Sequence, residues 1–278
     1  MGTQTTLLIL LLSVAAGVMG SMMGLGGGII IVPALTLLFG YDFRTAVAAS
    51  TVSIIATSTG AAVAYLRDRL TNTRVAMWLE MGTATGAMTG ALLAGFLDAK
   101  FLFFLFSALM LYSSYSMYKV RKSELPEGIE PDALSAKLQL AGEYHDQVLG
   151  RTIRYNVTQT KLGLLLMYFS GAAAGLLGIG AGIFKVLAMD QVMRIPIKAS
   201  TATSNFMIGV TAAASSVVYF VRGDVVPSVA GPVALGVLGG ALIGTRIMVR
   251  LKGTTLRKMF IPLLLAVAVQ MFWKGLGQ

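Results

Sequence analysis

The sequence predicts an all-α membrane protein built from two inverted repeats of transmembrane helices. Each repeat carries a broken or re-entrant hairpin at a glycine-rich motif, and a small cytoplasmic β-hairpin insert lies between them. Three observations predict this. Hydrophobic residues make up 56% of the 278 residues and charged residues only 12%, against about 25% charge in soluble domains. Apolar stretches of about 20 residues, the length that crosses ~30 Å of hydrocarbon, recur along the chain. Shifting the chain by 154 positions lays it on itself without a gap.

The first repeat, residues 1–118, offers long apolar segments at 5–23, 45–66, 75–97 and 101–118, plus a short one at 28–40. The second, residues 161–278, offers 162–180, 199–221, 226–249 and 259–273, plus a short one at 182–194. All read as helices, because lipid leaves open backbone groups unsatisfied and the runs lack the alternation of a barrel. The first segment, TTLLILLLSVAAGVMG, has the apolar core of a signal peptide but no basic n-region. Its counterpart KLGLLLMYFSGAAAGLLG sits mid-chain, so both read as spans. Each short segment amounts to ~20 Å of helix, too little to cross unaided. Re-entrant half-helices and short crossings in a protein-lined region both fit.

The duplication pairs Gly17 with Gly171, and Gly24, Gly26 and Gly28 with Gly178, Gly180 and Gly182. Ser50, Thr57 and Tyr65 pair with Ser204, Thr211 and Tyr219, and Gly82, Gly86 and Gly90 with Gly236, Gly240 and Gly244. If each short segment returns the chain to the side it came from, the halves are inverted. With the amino terminus outside, 17 of the 22 Lys and Arg then fall inside and only Arg44, Lys100, Arg222 and Lys274 outside, leaving Lys185 within the membrane. Eight simple crossings give a weaker asymmetry, so the positive-inside rule favours inversion.

Residues 119–160 belong to neither repeat. Two prolines and a run of acids open this segment as a loop. KLQLAGEY and RTIRYNVT then alternate like two short strands joined around Asp146 to Gly150. His145, the chain's one histidine, reads as a surface residue there, since a metal site needs three or four grouped ligands. No metal or cofactor is expected. The absence of cysteine excludes disulfides and thiolate chemistry. The net charge of +10 flanks apolar segments, so it argues for membrane orientation and against nucleic acid.

The glycine stretches GLGGGIIIVP (24–33) and GIGAGIFKVL (178–187) break their helices at matching places. Glycine permits an abrupt turn, and the helix that follows starts with unpaired N–H groups that favour an anion. Gly26, Gly27, Gly28, Gly180, Ala181 and Gly182 are therefore candidate substrate contacts, whereas the glycines spaced by four read as helix-packing positions. Lys185 stands where the first repeat has Ile31. A charge inside the membrane is a functional candidate by default, and this one complements an anion; an ion pair with Asp190 or snorkelling is the structural alternative. Ser50, Thr51, Thr203, Ser204 and Asn205 supply neutral donors beside the breaks. Glu80 and Asp190 are candidates for ion coupling, with pairing of Glu80 to Arg74 or Arg69 as the other reading.

The stretch GLGGGIIIVPALTLLFGYDFRTAVAASTVSII and its second copy GIGAGIFKVLAMDQVMRIPIKASTATSNFMIGVTA resemble the TauE/SafE family of sulfite and sulfonate exporters, also called the toluene sulfonate uptake permease family. The resemblance spans nearly the whole chain apart from the insert. It implies a permease of the bacterial or archaeal inner membrane for organosulfur anions such as sulfite, sulfoacetate or other sulfonates, often a homodimer. The family's motif falls on Gly24, Gly26, Gly27, Gly28 and Pro33, and on Gly178, Gly180 and Gly182. Ala181 and Leu187 depart from it, where glycine and proline are frequent. No catalytic set is visible; a channel-like anion pore or an intramembrane Ser/Lys enzyme using Lys185 are the rival classes.

Overall fold

The computed structural model describes residues 3–119, 129–178, 180–251 and 253–277. Apart from one two-stranded hairpin, its regular elements are helical. The first repeat folds as α1 (Thr3–Met23), α2 (Gly28–Leu37), α3 (Phe43–Arg67), α4 (Thr73–Ala94) and α5 (Ala99–Lys119). The second supplies α7 (Thr160–Leu177), α8 (Gly182–Leu187) with a π turn (Ala188–Val192), α9 (Ile197–Val221), α10 (Pro227–Met248) and α11 (Gly253–Leu276). Five of these, α1, α3, α7, α9 and α10, are long and apolar enough to cross a membrane. The 22-residue α4 is more polar, because Glu80 and its threonines interrupt the apolar run.

The halves interlock. α1 packs along α10, and α4 packs along α7, so each half's first helix lies on the other half's fourth. The glycines spaced by four make this approach possible. A Cβ at Gly86 or Gly90 would stand 2.1 Å from the carbonyl oxygens of Tyr168 and Ala172. At the corresponding positions, Gly240 and Gly244 face the carbonyls of Val14 and Val18 at 2.1 and 2.4 Å. Small residues are what allow backbones this close in helix pairs of membrane proteins.

The duplication extends to backbone conformation. Left-handed residues recur 154 positions apart: Gly24 with Gly178, Gly26 with Gly180, Gly27 with Ala181, Gly40 with Arg194, and Arg69 with Gly223. Only glycine adopts this region without strain, so three non-glycine residues held there mark turns that both halves share.

The ends of the bundle gather different loops. At one end Arg44 bonds the carbonyl of Gly95, Arg222 bonds that of Ala91, and Lys274 approaches that of Thr36. At the other end Asn72 donates to Leu140 O at 2.8 Å, Arg74 to Gln139 O at 3.1 Å, and Thr158 N to Met193 O at 3.3 Å. The insert therefore docks on the α3–α4 loop and on the segment entering α9.

Within the insert, β1 (Gly142–Asp146) pairs antiparallel with β2 (Arg151–Tyr155), and the turn closes with Gly150 N on Asp146 O. The sequence places the first strand from Lys137, but residues 133–138 form a short helix, α6, whose Asp132 cap accepts from Ser135 N at 2.6 Å. Asp132 also accepts from Thr160 N and Oγ1, so one carboxylate ties the starts of α6 and α7 together. That local capping outcompetes the alternation of KLQL. His145 is exposed, as the sequence suggests, while Asp146 turns inward to a 2.9 Å ion pair with Lys198 at the start of α9.

Candidate functional site

Two chain breaks meet at the centre of the bundle. In the first, Gly24, Gly26 and Gly27 turn left-handed and α2 starts at Gly28, with Gly27 lying against Ala16 and Gly17 of α1. In the second, Gly178, Gly180 and Ala181 do the same and α8 starts at Gly182. The two tips touch. A Cβ at Gly182 would stand 1.8 Å from Gly24 O, and one at Gly28 would stand 2.6 Å from Gly178 O. Ile54 and Ile208, themselves equivalent positions, pack over Gly26, and Ile54 over Gly180, closing the junction.

Hydroxyls clasp the tips crosswise. Ser50 of the first half donates to Gly178 O at 2.6 Å, and Ser204 of the second half donates to Gly24 O at 2.9 Å. Thus α3 and α9 each hold the break of the opposite half, by an equivalent bond. Tyr65 and Tyr219 add a matching pair, donating to Ser21 O and Gly175 O. Asn205 donates to Ser21 O at 2.8 Å, and its buried Oδ1 has no hydrogen-bond partner among the described residues. Thr51 bonds back to Val47 O within its own helix. Thr203 sits apart, accepting from Asn72 N beneath the α3–α4 loop.

Lys185 is fully buried, 0% exposed, one turn into α8. Its ammonium donates to Thr211 Oγ1 of α9. The Thr211 hydroxyl lies 2.7 Å from Glu80 Oε1 on α4, and Glu80 Oε2 stands 4.0 Å from Lys185 Nζ. Glu80 is therefore the counter-charge of Lys185, in place of the pairings with Arg74 or Arg69 that sequence proximity suggests. Arg74 instead bonds the main chain and side chain of Gln139. Asp190 lies half-buried in the π turn beyond α8. Sequence separation hides the Glu80 contact: 105 positions and a half-boundary divide it from Lys185.

A mostly apolar pocket of about 260 Å³ opens between α5, α7 and α8, with Tyr112, Phe169, Phe184 and Gln191 on its walls. Ser170 also lines it and donates to Ala181 O at 3.2 Å, so the pocket reaches the backbone of the second tip. No group of three or more His, Asp or Glu able to hold a metal occurs among the described residues.

The chain is 26% identical over 276 residues to the probable membrane transporter protein YunE of Bacillus subtilis (strain 168), covering 97% of this chain and 98% of that protein. It is 25% identical over 240 residues to the probable membrane transporter protein YdhB of the same organism, covering 86% of this chain and 89% of the relative. No solved structure matches it. The family model described as sulfite exporter TauE/SafE matches residues 9–271. With that match across both breaks and the helices that hold them, the chain belongs to the TauE/SafE family of membrane transporters and is not an enzyme.

Proposed function

We propose that the protein moves organosulfur anions, such as sulfite, sulfoacetate and other sulfonates, across the cytoplasmic membrane by alternating access between two inverted halves. The observation that carries this reading is the buried Lys185 one turn beyond the junction of two broken helices. A sulfonate has a fixed negative charge and three acceptor oxygens. It needs positive potential and several donors, and it needs no base.

Lys185 supplies the charge, and the amides that open α2 and α8, at Gly28, Ile29, Gly182 and Ile183, supply donors that precede the first intrahelical acceptor. Ser50 and Ser204 donate to the opposite tip in this closed form, and the same hydroxyls, with Thr51 and Asn205 beside them, face the substrate once the tips part. The pocket at Ser170 and Phe184 is the approach to the second tip.

Inversion is supported by where corresponding loops lie. The loop holding Arg44 bonds to Gly95, whereas its counterpart around Lys198 bonds to the insert. The α3–α4 loop, which follows Arg67 and holds Arg69, bonds to the insert through Asn72, and Met193, next to Arg194, bonds to it through Thr158, which argues for a cytoplasmic insert.

The test is counterflow of labelled sulfite and sulfoacetate in liposomes carrying the purified chain. Saturable flux of unaltered anion is expected, and Lys185→Ala should lower it at least tenfold while the protein still melts as a folded species. Unsaturable flux would mark a pore. No flux of any sulfur anion, or wild-type flux in Lys185→Ala, would overturn the reading.

A further inference from the structure

The network around Lys185 is one-sided in an otherwise duplicated centre. The 154-residue offset puts Ile31, Thr57 and Ala234 where Lys185, Thr211 and Glu80 stand. α2, α3 and α10 pack together as α8, α9 and α4 do, so the same packing is achieved once without any charge. Thr57 there simply bonds back to Ser53 O. The fold does not require the ions, and burying them is costly.

The pair is also incomplete as a structural bridge. Thr211 stands between the ammonium and Oε1, and Oε2 is buried with no hydrogen-bond partner among the described residues. The pair spans the halves as well, with Glu80 on α4 of the first and Lys185 and Thr211 in the second. Lys198 of α9 is held by Asp146, Lys161 of α7 is exposed at the helix start, and Tyr168 of α7 meets Thr89. Asp190 lies beyond α8 in the π turn.

We propose that Glu80 is a resident stand-in for the substrate anion and the carrier's proton site: the anion takes Lys185 only as Glu80 takes a proton. This rests on the anion-site reading above and gives that site its coupling ion. The charge balance is direct. In the empty carrier Glu80 carboxylate neutralises Lys185 ammonium. Binding a monoanion without a proton would leave a buried net negative charge, which a low-dielectric site disfavours strongly. Binding the anion with one proton, which bonds to the Glu80 carboxylate, leaves Lys185 facing the anion and the site neutral. One proton therefore moves with each monoanion, in the same direction. The exchange also removes the ionic contact between Glu80 of α4 and Lys185 of α8 that spans the halves.

The experiment uses the full chain in detergent with methanesulfonate, ethanesulfonate and p-toluenesulfonate, whose single charge is constant from pH 5.5 to 8.5. Proton uptake on binding is read by calorimetry in buffers of different ionisation enthalpy. Wild type should take up about one proton per anion, and Kd should rise up to tenfold per pH unit where Glu80 is ionised in the empty carrier. Glu80→Gln, which mimics the protonated carboxyl, should bind with no proton uptake and with a Kd flat in pH. Wild-type binding with no proton uptake and a constant Kd would overturn the coupling and leave the anion site standing. Uptake that persists in Glu80→Gln would place the proton on another group and overturn it equally. Saturable binding of none of the three would overturn both readings. The wild-type proton count decides the question even if Glu80→Gln does not fold.

Discussion

At Gly182 the space for a side chain is already occupied by another chain segment. The carbonyl oxygen of Gly24 stands 1.8 Å from where a Cβ would lie, and Leu25 Cα stands 2.8 Å away. Both obstacles are backbone, so a methyl group must push the two tips apart. Gly182→Ala should cost at least the upper end of the roughly 1–3 kcal/mol that overpacking takes. Gly239→Ala is the control, because nothing lies within 4 Å of its Cβ position and its φ is ordinary. Thermal unfolding in detergent should drop by several degrees for the first and stay within error for the second; equal melting would mean that the tips are not pressed together. The left-handed turns at Gly26 and Gly27 follow from glycine alone, and the sequence reading reaches them. That Ala181 holds the same conformation, at φ +46°, is legible only through its register with Gly27.

At the scale of elements, the docking of the insert depends on one carboxylate. Burial raises the pKa of Asp146, but the Lys198 ammonium and the amides of Val148 and Leu149 outweigh it and hold the carboxyl below the usual range. A carboxylate whose pKa is lower folded than unfolded contributes its stability in full above the unfolded value of about 3.9, and that contribution fades as pH falls through the folded value. Asp132 behaves alike: burial opposes ionisation, and the bonds from Thr160 and Ser135 prevail. Hydrogen exchange over residues 133–155 should therefore be slow from pH 8 down to about 4 and rise below it. Asp146→Asn should exchange faster at neutral pH, by the ~1.5–3 kcal/mol that a hydrogen bond to a charged group contributes. Protection unchanged in that variant would remove the ion pair as the anchor. Little of this is readable from the sequence. Alternation identifies both strands and the turn, yet Asp146 shows its importance only once Lys198, 52 positions on, is brought beside it. The same limit conceals α6, whose six residues are too few for a helical period and depend on the Asp132 cap.

For the whole molecule, the duplication read from sequence accounts for most of what holds the centre together. Positions paired by the 154-residue offset exchange contacts across the halves: Gly17 meets Val237 as Thr83 meets Gly171, and Ser50 meets Gly178 as Gly24 meets Ser204. Reciprocity of this kind is the mark of a two-fold relation between two surfaces. It does not by itself give the direction of the axis relative to the membrane. An axis in the membrane plane inverts the halves, whereas one along the normal leaves them parallel, and equivalent loops distinguish these cases. Gly40 and Arg194 are equivalent, exposed and both left-handed, one following α2 and the other following the π turn after α8. The chain has no cysteine of its own, so Gly40→Cys and Arg194→Cys each introduce a single reporter. With the proposed inversion, a membrane-impermeant maleimide applied to intact cells should label position 40, while position 194 should react only after the membrane is opened. Parallel halves would expose both positions on one side, and that result would remove the inverted arrangement and the alternating-access scheme built on it.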